Sequence, residues 1–486
     1  MKKIVTWFCA VAVLLSVFTL FGCDGCSKES KRTKYDISAS LDGNVLTATQ
    51  TIDFYNEFDN PVSFLKFNIF ANAFRKDATY KPIASQYVNK AYKNGYSYGE
   101  FTVQSCTVDN NATPFEICGL DKNVLKVDLP KEVFPQERIS VVICYQITLA
   151  NVVARTGVND HCVNLANFYP ILCGYGENGF YECLYYANGD PYFSDCADYV
   201  VTLTCDSDFV VASSGIQTST NQQDGKTTYS YQLLNARSFA LVLSKEFSVL
   251  SKTLSGVQVN YYYYNDDNPE KSFDYAQKSL ALFNSKFGNY PYPTYAVVQT
   301  EFVQGGMEFP ALVMISDALE PKAYGEVIVH ETAHQWWQTL VGNNEIEHGF
   351  LDEGLAEYSV VLFYEAYPEN ALTREQIITS CEKTYRIFCS VIDKLDGKVN
   401  TVMLRPLGQF ASEYEYVNLA YVKPCIMYDY LRKSIGDERF FKGLKNYFEK
   451  FCYKNATPDD LVGIFEKTGA DTNGFFKSFF DGKVII

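Results

Sequence analysis

Histidine is scarce in this chain, with 4 among 486 residues, beside 3 tryptophans and 5 methionines. A basic surplus is also missing: 42 Lys and Arg face 57 Asp and Glu, a formal charge of −15. With no excess of cations to displace counterions from a phosphate backbone, a nucleic-acid partner is excluded. The bias this charge sets towards cationic ligands is mild. The chain has no internal repeat and no low-complexity tract. What it has is 47% hydrophobic and 16% aromatic residues over a length that fills two sizeable cores.

The first 22 residues read as a targeting segment. Lys2 and Lys3 form a positive start, and residues 4–22 are uncharged and mostly apolar. The ending "LFGC" resembles a bacterial lipoprotein signal, although Phe21 is bulky for its place. Cleavage before Cys23 would leave that cysteine to carry the lipid. The same apolar run is long enough to serve as an uncleaved membrane anchor. Either way the expectation is an exported chain, tethered to the outer face of the cell membrane through residues 23–34, a short polar and charged stretch.

Fifteen cysteines in an exported chain suggest a disulfide framework. However, Cys162, Cys173, Cys183, Cys196 and Cys205 crowd one segment, and Cys106, Cys118 and Cys144 are scattered over strand-like text. No bridge can be assigned, and many of these cysteines read as small buried hydrophobes.

Residues 35–250 alternate as strands do. In "ADYVVTLTCD" Val201 and Leu203 share one face, "RISVVICYQITL" and "RSFALVLSKEF" have the same character between turn clusters, and "GVQVNYYYY", just past residue 250, reads as one more strand before the period changes. From about residue 251 helical periods take over. Asn268 and Pro269 open a helix that Gly288 closes. A second runs from Pro321 to Gly342, a third covers "DEGLAEYSVVLFYEAY", and a fourth covers "YVKPCIMYDYLRKSIG". The predicted fold is therefore an all-β domain over 35–250 followed by a mainly helical domain over 251–486.

Two of the four histidines stand in "VIVHETAHQWW". At i and i+4 on a helix, His330 and His334 share a face one turn apart, which suits two ligands of one tetrahedral zinc. An amphipathic core helix with two satisfied histidines is the plain alternative. A catalytic zinc needs a third protein ligand and one open position. Glu353 in "FLDEGLAEY", with 18 residues between it and His334, can supply that ligand from a neighbouring helix. Glu331 would then lie beside the metal's water, placed to accept its proton. Glu357, one turn beyond Glu353, either orients a ligand or is a solvated surface residue. His348, in the connecting loop, reads as a surface residue.

With HETAH and the glutamate of "LDEGLAEY" in place, the chain resembles the aminopeptidase N-type gluzincins, relatives of leukotriene hydrolase. "QGGMEFP", "YVKPCIMYDYLRKSIGDERFFKGL" and "GDPYFSDCADYVVTLT" resemble three further blocks of that family. The similarity runs from about residue 35 to the end. It implies a saddle-like β-domain, a thermolysin-like peptidase domain, one zinc per chain and peptide substrates with a free N-terminus. It also implies that Gly305, Gly306, Met307 and Glu308 bind substrate, with Glu308 holding the α-amine, and that Tyr421 donates to the oxyanion. One such donor is worth about 2.7–4 kcal/mol.

There are departures from the family's pattern. Phe309 and Pro310 follow Glu308, Pro424 stands where a glycine is expected, and the second amine-binding residue cannot be aligned securely, Glu177 and Glu182 lying in the right region. The chain also stops close to where the family's catalytic domain ends, which implies an open cleft accepting longer peptides. A zinc endopeptidase and a catalytically inactive peptide-binding lipoprotein are the alternatives. Oligomeric state is not legible.

Overall fold

The computed structural model describes residues 31–370, 372–469 and 472–484. The signal-like segment 1–22, Cys23 and the tether up to residue 30 lie outside the described residues. Among those described, no helix is long and apolar enough to cross a membrane.

The N-terminal half is all β. Its largest sheet has eight strands in the order Ile216–Gln223, Lys226–Ala236, Ala197–Asp206, Lys34–Asp42, Val45–Tyr55, Arg138–Thr148, Glu100–Val108 and Asn111–Ala112. Alternation decides which face is buried: along Arg138–Thr148 every second side chain is in the core, and Val201 and Leu203 are buried in Ala197–Asp206. The first hairpin closes through Gly43 and Asn44, with Gly43 at φ 58°, the left-handed geometry such tight turns demand. Lys34–Asp42 also pairs in parallel with Ala197–Asp206, so residues more than 150 positions apart in sequence are joined. Two four-stranded sheets pack onto this one in a continuous apolar core. None of the described cysteines is disulfide-bonded, and most are buried.

From Ser248 onward a five-stranded sheet forms, with strands Ser248–Leu254, Val257–Tyr263, Thr294–Thr300, Leu312–Ser316 and, at its edge, Gly306–Phe309. Helices then dominate. We name the four that matter here α1 (Pro269–Lys286), α2 (Pro321–Ala333), α3 (Phe350–Ala366) and α4 (Lys423–Ile435). The all-β half followed by a helical half agrees with the sequence reading. In α1, Phe273, Ala276, Leu280 and Phe283 are buried at the 3–4 spacing of an amphipathic helix. Pro269 is its first residue, but the Asn268 side chain makes no capping bond.

Two helices differ from expectation. The second ends at Ala333, well short of Gly342, because the chain turns sharply at Gln338 (φ 107°) to bury Trp336 and Trp337. The fourth is preceded by a π-helical turn, Asn418–Val422. Pro424 has no N–H to continue an ordinary helical ladder, and a widened turn resolves that deficit. Pro424 packs on α3 where a Cβ at Gly354 would come within 2.5 Å of its own Cβ. That close approach sets Tyr421 against Glu353.

Arg237 ties the two halves together. From the β-half it donates to the carbonyls of Ser194, Gln338 and Lys454 and to Asn455 Oδ1, at 2.5–2.9 Å. Arg237→Ala would leave buried acceptors without donors, and we expect it to lower unfolding free energy by about 3 kcal/mol. Chemical denaturation of the purified chain measures this, and a loss below about 0.5 kcal/mol would contradict the assignment.

Candidate metal centre and active site

His330 lies in the last turn of α2. His334 sits at the C-cap position, still helical in its backbone and bonded to the His330 carbonyl at 3.3 Å. The early end of this helix has a use: the Trp337 carbonyl turns back and lies 2.9 Å from His334 Nδ1. A carbonyl can only accept, so that bond places a proton on Nδ1 and leaves Nε2 as the nitrogen that faces Glu353 and would bind a metal. Glu353, in the first turn of α3, meets both rings.

The three donor atoms converge. His330 Nε2, His334 Nε2 and Glu353 Oε2 lie 3.1–3.2 Å from one another. An ideal zinc tetrahedron with bonds of about 2.1 Å has edges of about 3.4 Å. Two imidazole nitrogens facing each other beside a carboxylate, with His334 and Glu353 buried and His330 partly so, therefore fit one zinc ion with an open fourth position. Glu357 Oε2 stands 3.2 Å from His330 Nδ1, which makes it the outer partner of that ring and not a solvated glutamate. The Tyr421 ring stacks on His330, and its hydroxyl donates to Glu353 Oε1 at 2.5 Å.

A cleft of about 290 Å³ opens beside these donors, with Glu331, Gly305, Gly306 and Glu308 in its wall. Gly306 belongs to the edge strand, and a Cβ there would lie 2.3 Å from Glu331 Oε1, so only glycine lets the strand reach that carboxylate. Glu331 Oε2 and Glu308 Oε1 are buried without a hydrogen-bond partner. Burial raises Glu331 to about 7 against the pull of both histidines. Burial first, then Asp190, pushes Glu308 well above the usual carboxylate range. Glu353 goes the other way: burial opposes its charge, but His334 and His330 beside it hold it at about 2. A buried carboxyl with an unpartnered oxygen costs free energy until a cation arrives.

A family model, the peptidase family M1 domain, matches residues 271–479. Over those residues the chain is similar to peptidase family M1 and to aminopeptidase N homologues. Aminopeptidase M1-B of Oryza sativa subsp. japonica is 28% identical over 267 residues, covering 51% of this chain and 29% of that protein. Aminopeptidase N of Lactococcus lactis subsp. lactis is 27% identical over 260 residues, covering 48% and 29%. The match thus spans less than a third of these relatives. An M1 zinc metallopeptidase from Deinococcus radiodurans has the same fold over 94% of this chain and 96% of its own, with a TM-score of 0.66 at 16% identity.

Within this site some expectations differ from the geometry. Met307 is not in the cleft wall: on a strand, neighbours of Gly306 and Glu308 face the other way, and Met307 is buried in the core. Glu182 pairs with Lys66 and Glu177 is exposed on a hairpin, and neither lines the cleft. The acidic residue that the β-half does supply is Asp190, buried and paired with Arg155. Sequence reasoning missed both, since they sit in irregular segments with no periodicity. His348 is half-buried and outside the cleft wall. Lys423 is structural, donating to the carbonyls of Thr401 and Phe479. Gln335 clamps the end of the edge strand through the Phe309 carbonyl and the Ala311 N–H.

Glu357→Ala removes the outer partner of His330. We expect a 10- to 100-fold loss of zinc affinity, read by competition with a chelator of known strength. Unchanged affinity would return Glu357 to the surface.

Proposed function

We propose that the chain is a zinc-dependent aminopeptidase that hydrolyses the first peptide bond of peptides with a free N-terminus. The observation that carries this is Glu308, a buried carboxylate whose Oε1 has no partner, in the wall of the cleft beside the three zinc donors. The chemistry a zinc ion at His330, His334 and Glu353 supplies is Lewis acidity, which lowers the pKa of water and polarises a carbonyl.

The chain's own groups do the rest. The substrate ammonium enters as the missing counter-ion of Glu308, with Asp190 adding negative charge behind it. Asp190 takes the place expected of the second amine-binding residue, while Arg155 keeps it from carrying an unpaired charge. The strand Gly306–Phe309 is an edge, so a peptide anchored at Glu308 pairs with it antiparallel and runs back past Gly306 and Gly305. This lays the first peptide bond across the donor cluster. Glu331 takes a proton from the attacking water and returns it to the departing amine. Tyr421 turns its hydroxyl from Glu353 to the carbonyl oxygen as charge develops there. A Deinococcus radiodurans M1 structure with a bound Tyr-Ser-Ala substrate supports a short peptide as the ligand class.

An endopeptidase would use the same zinc donors but has no need of an orphaned anion at the upstream end of the cleft. On our reading the chain works outside the cell, held at the membrane through its N-terminal segment; this rests on residues 1–34 of the sequence alone. The decisive comparison is one peptide, free and N-acetylated, followed by mass spectrometry with and without a chelator. We expect stepwise, chelator-sensitive trimming of the free form alone. Cleavage of both forms would establish an endopeptidase, and cleavage of neither would favour the inactive binding protein.

A further inference from the structure

One carboxylate in the cleft wall is used neither by the zinc donors nor by the amine site. Glu326 lies on α2, half-buried, one turn before His330. Glu413, also in the wall, is held by Gln86 and Tyr87, and Glu357 by His330. Glu326 has no such partner: among the described residues it makes neither a hydrogen bond nor an ion pair. Burial raises its pKa, and Glu357 beside it adds to the rise. Lys322, one turn earlier on the helix, is exposed and forms no ion pair with it. Gln304 belongs to the same wall, and its Oε1 is sealed from water without a donor. This stretch of the cleft thus offers two unmet acceptors and no cation.

Its position relative to a bound peptide follows from the neighbours of each group. Of the two histidines, His334 acts most on Glu308 and His330 acts most on Glu326, so the pair stands between the two carboxylates. The turn of α2 that carries Glu326 also lies against the loop before the edge strand: a Cβ at Gly305 would meet Val327 Cγ2 at 3.7 Å. A peptide anchored at Glu308 and paired with Gly306–Phe309 crosses the donors and continues along Gly305 and Gln304. Its second residue, which carries the departing amine, is the first to clear the donors. It arrives beside Glu326 and Gln304.

We propose that Glu326 is a specificity-determining residue that favours peptides with lysine or arginine in second position, with Gln304 Oε1 as a further acceptor for the cationic head. This rests on the aminopeptidase reading of the cleft. The long stem of either side chain packs on Val327 while its head reaches the carboxylate. In a half-buried wall such a pair is screened less than one on the open surface. An acidic second residue meets Glu326 and Glu357 with no relief, because Arg155, the wall's cation, pairs with Asp190 at the amine end.

The test is a set of tripeptides, Leu-Xaa-Ala with Xaa as Lys, Ala or Glu, beside Leu-Ala-Lys and Leu-Ala-Glu. Release of leucine by the zinc-loaded chain is followed by mass spectrometry. We expect kcat/KM with Lys in second position to exceed that with Glu by about tenfold or more, with Ala between them. Glu326→Gln is expected to shrink that ratio by about fivefold or more, and Glu326→Lys to invert it. Rates indifferent to the second residue, or an undiminished ratio in Glu326→Gln, would overturn the proposal and leave the aminopeptidase intact. So would an equal preference for Lys over Glu in third position, the mark of a diffuse negative field. Cleavage of N-acetyl-Leu-Lys-Ala at the same bond, or no turnover of any free peptide, would overturn the underlying reading and the proposal with it.

Discussion

The structure gathers more carboxyl groups in its interior than it has cationic side chains to pair with them. Asp190, Glu308, Glu331 and Glu353 line one cleft, all buried, and Arg155 is the one Lys or Arg among the described residues of its wall. Glu345 and Asp352 lie behind, each pushed up by burial first. Burying carboxylates without partners is among the costliest things a fold can do. The arrangement makes sense once cations are supplied from outside: a metal ion at His330, His334 and Glu353, and an ammonium at Glu308. On the proposed function, cofactor and substrate class both follow from the same shortage of cations.

The scaffold holds this deficit in place by close backbone approaches. Gly306 lets the edge strand touch Glu331, and Gly354 lets α3 lie against Pro424. Arg237 fixes the loop after α2 to the β-half, so the carbonyl that orients His334 and the loop that brings Asp190 belong to one framework. The substrate cleft lies where the two halves meet, and both contribute walls.

Much of the site could be read in the sequence because its signals are local. HETAH holds the two proposed ligands and the proposed base within five residues, and the glutamate after 18 more is the third proposed ligand. Helical periodicity and strand alternation located the two halves for the same reason. Tyr421 was different: it is one of 37 tyrosines, and only its resemblance to a family block singled it out. Asp190 and Arg155 carry no pattern, because loops that reach a site through tertiary packing leave no period to detect. The parallel pairing of Lys34–Asp42 with Ala197–Asp206 and the π-helical turn at Pro424 likewise depend on contacts remote in sequence.

The most direct test of the account is anomalous scattering at the zinc edge from crystals of residues 31–486 grown with zinc and a free amino acid. The account predicts one zinc, bonded by His330 Nε2, His334 Nε2 and a Glu353 oxygen, with the ligand's amine within about 3 Å of a Glu308 oxygen. A metal held instead by Glu308, Glu345 and Asp352, whose carboxylates also stand close together, would contradict it. So would a ligand whose carboxylate, not its amine, occupies that end of the cleft against Arg155.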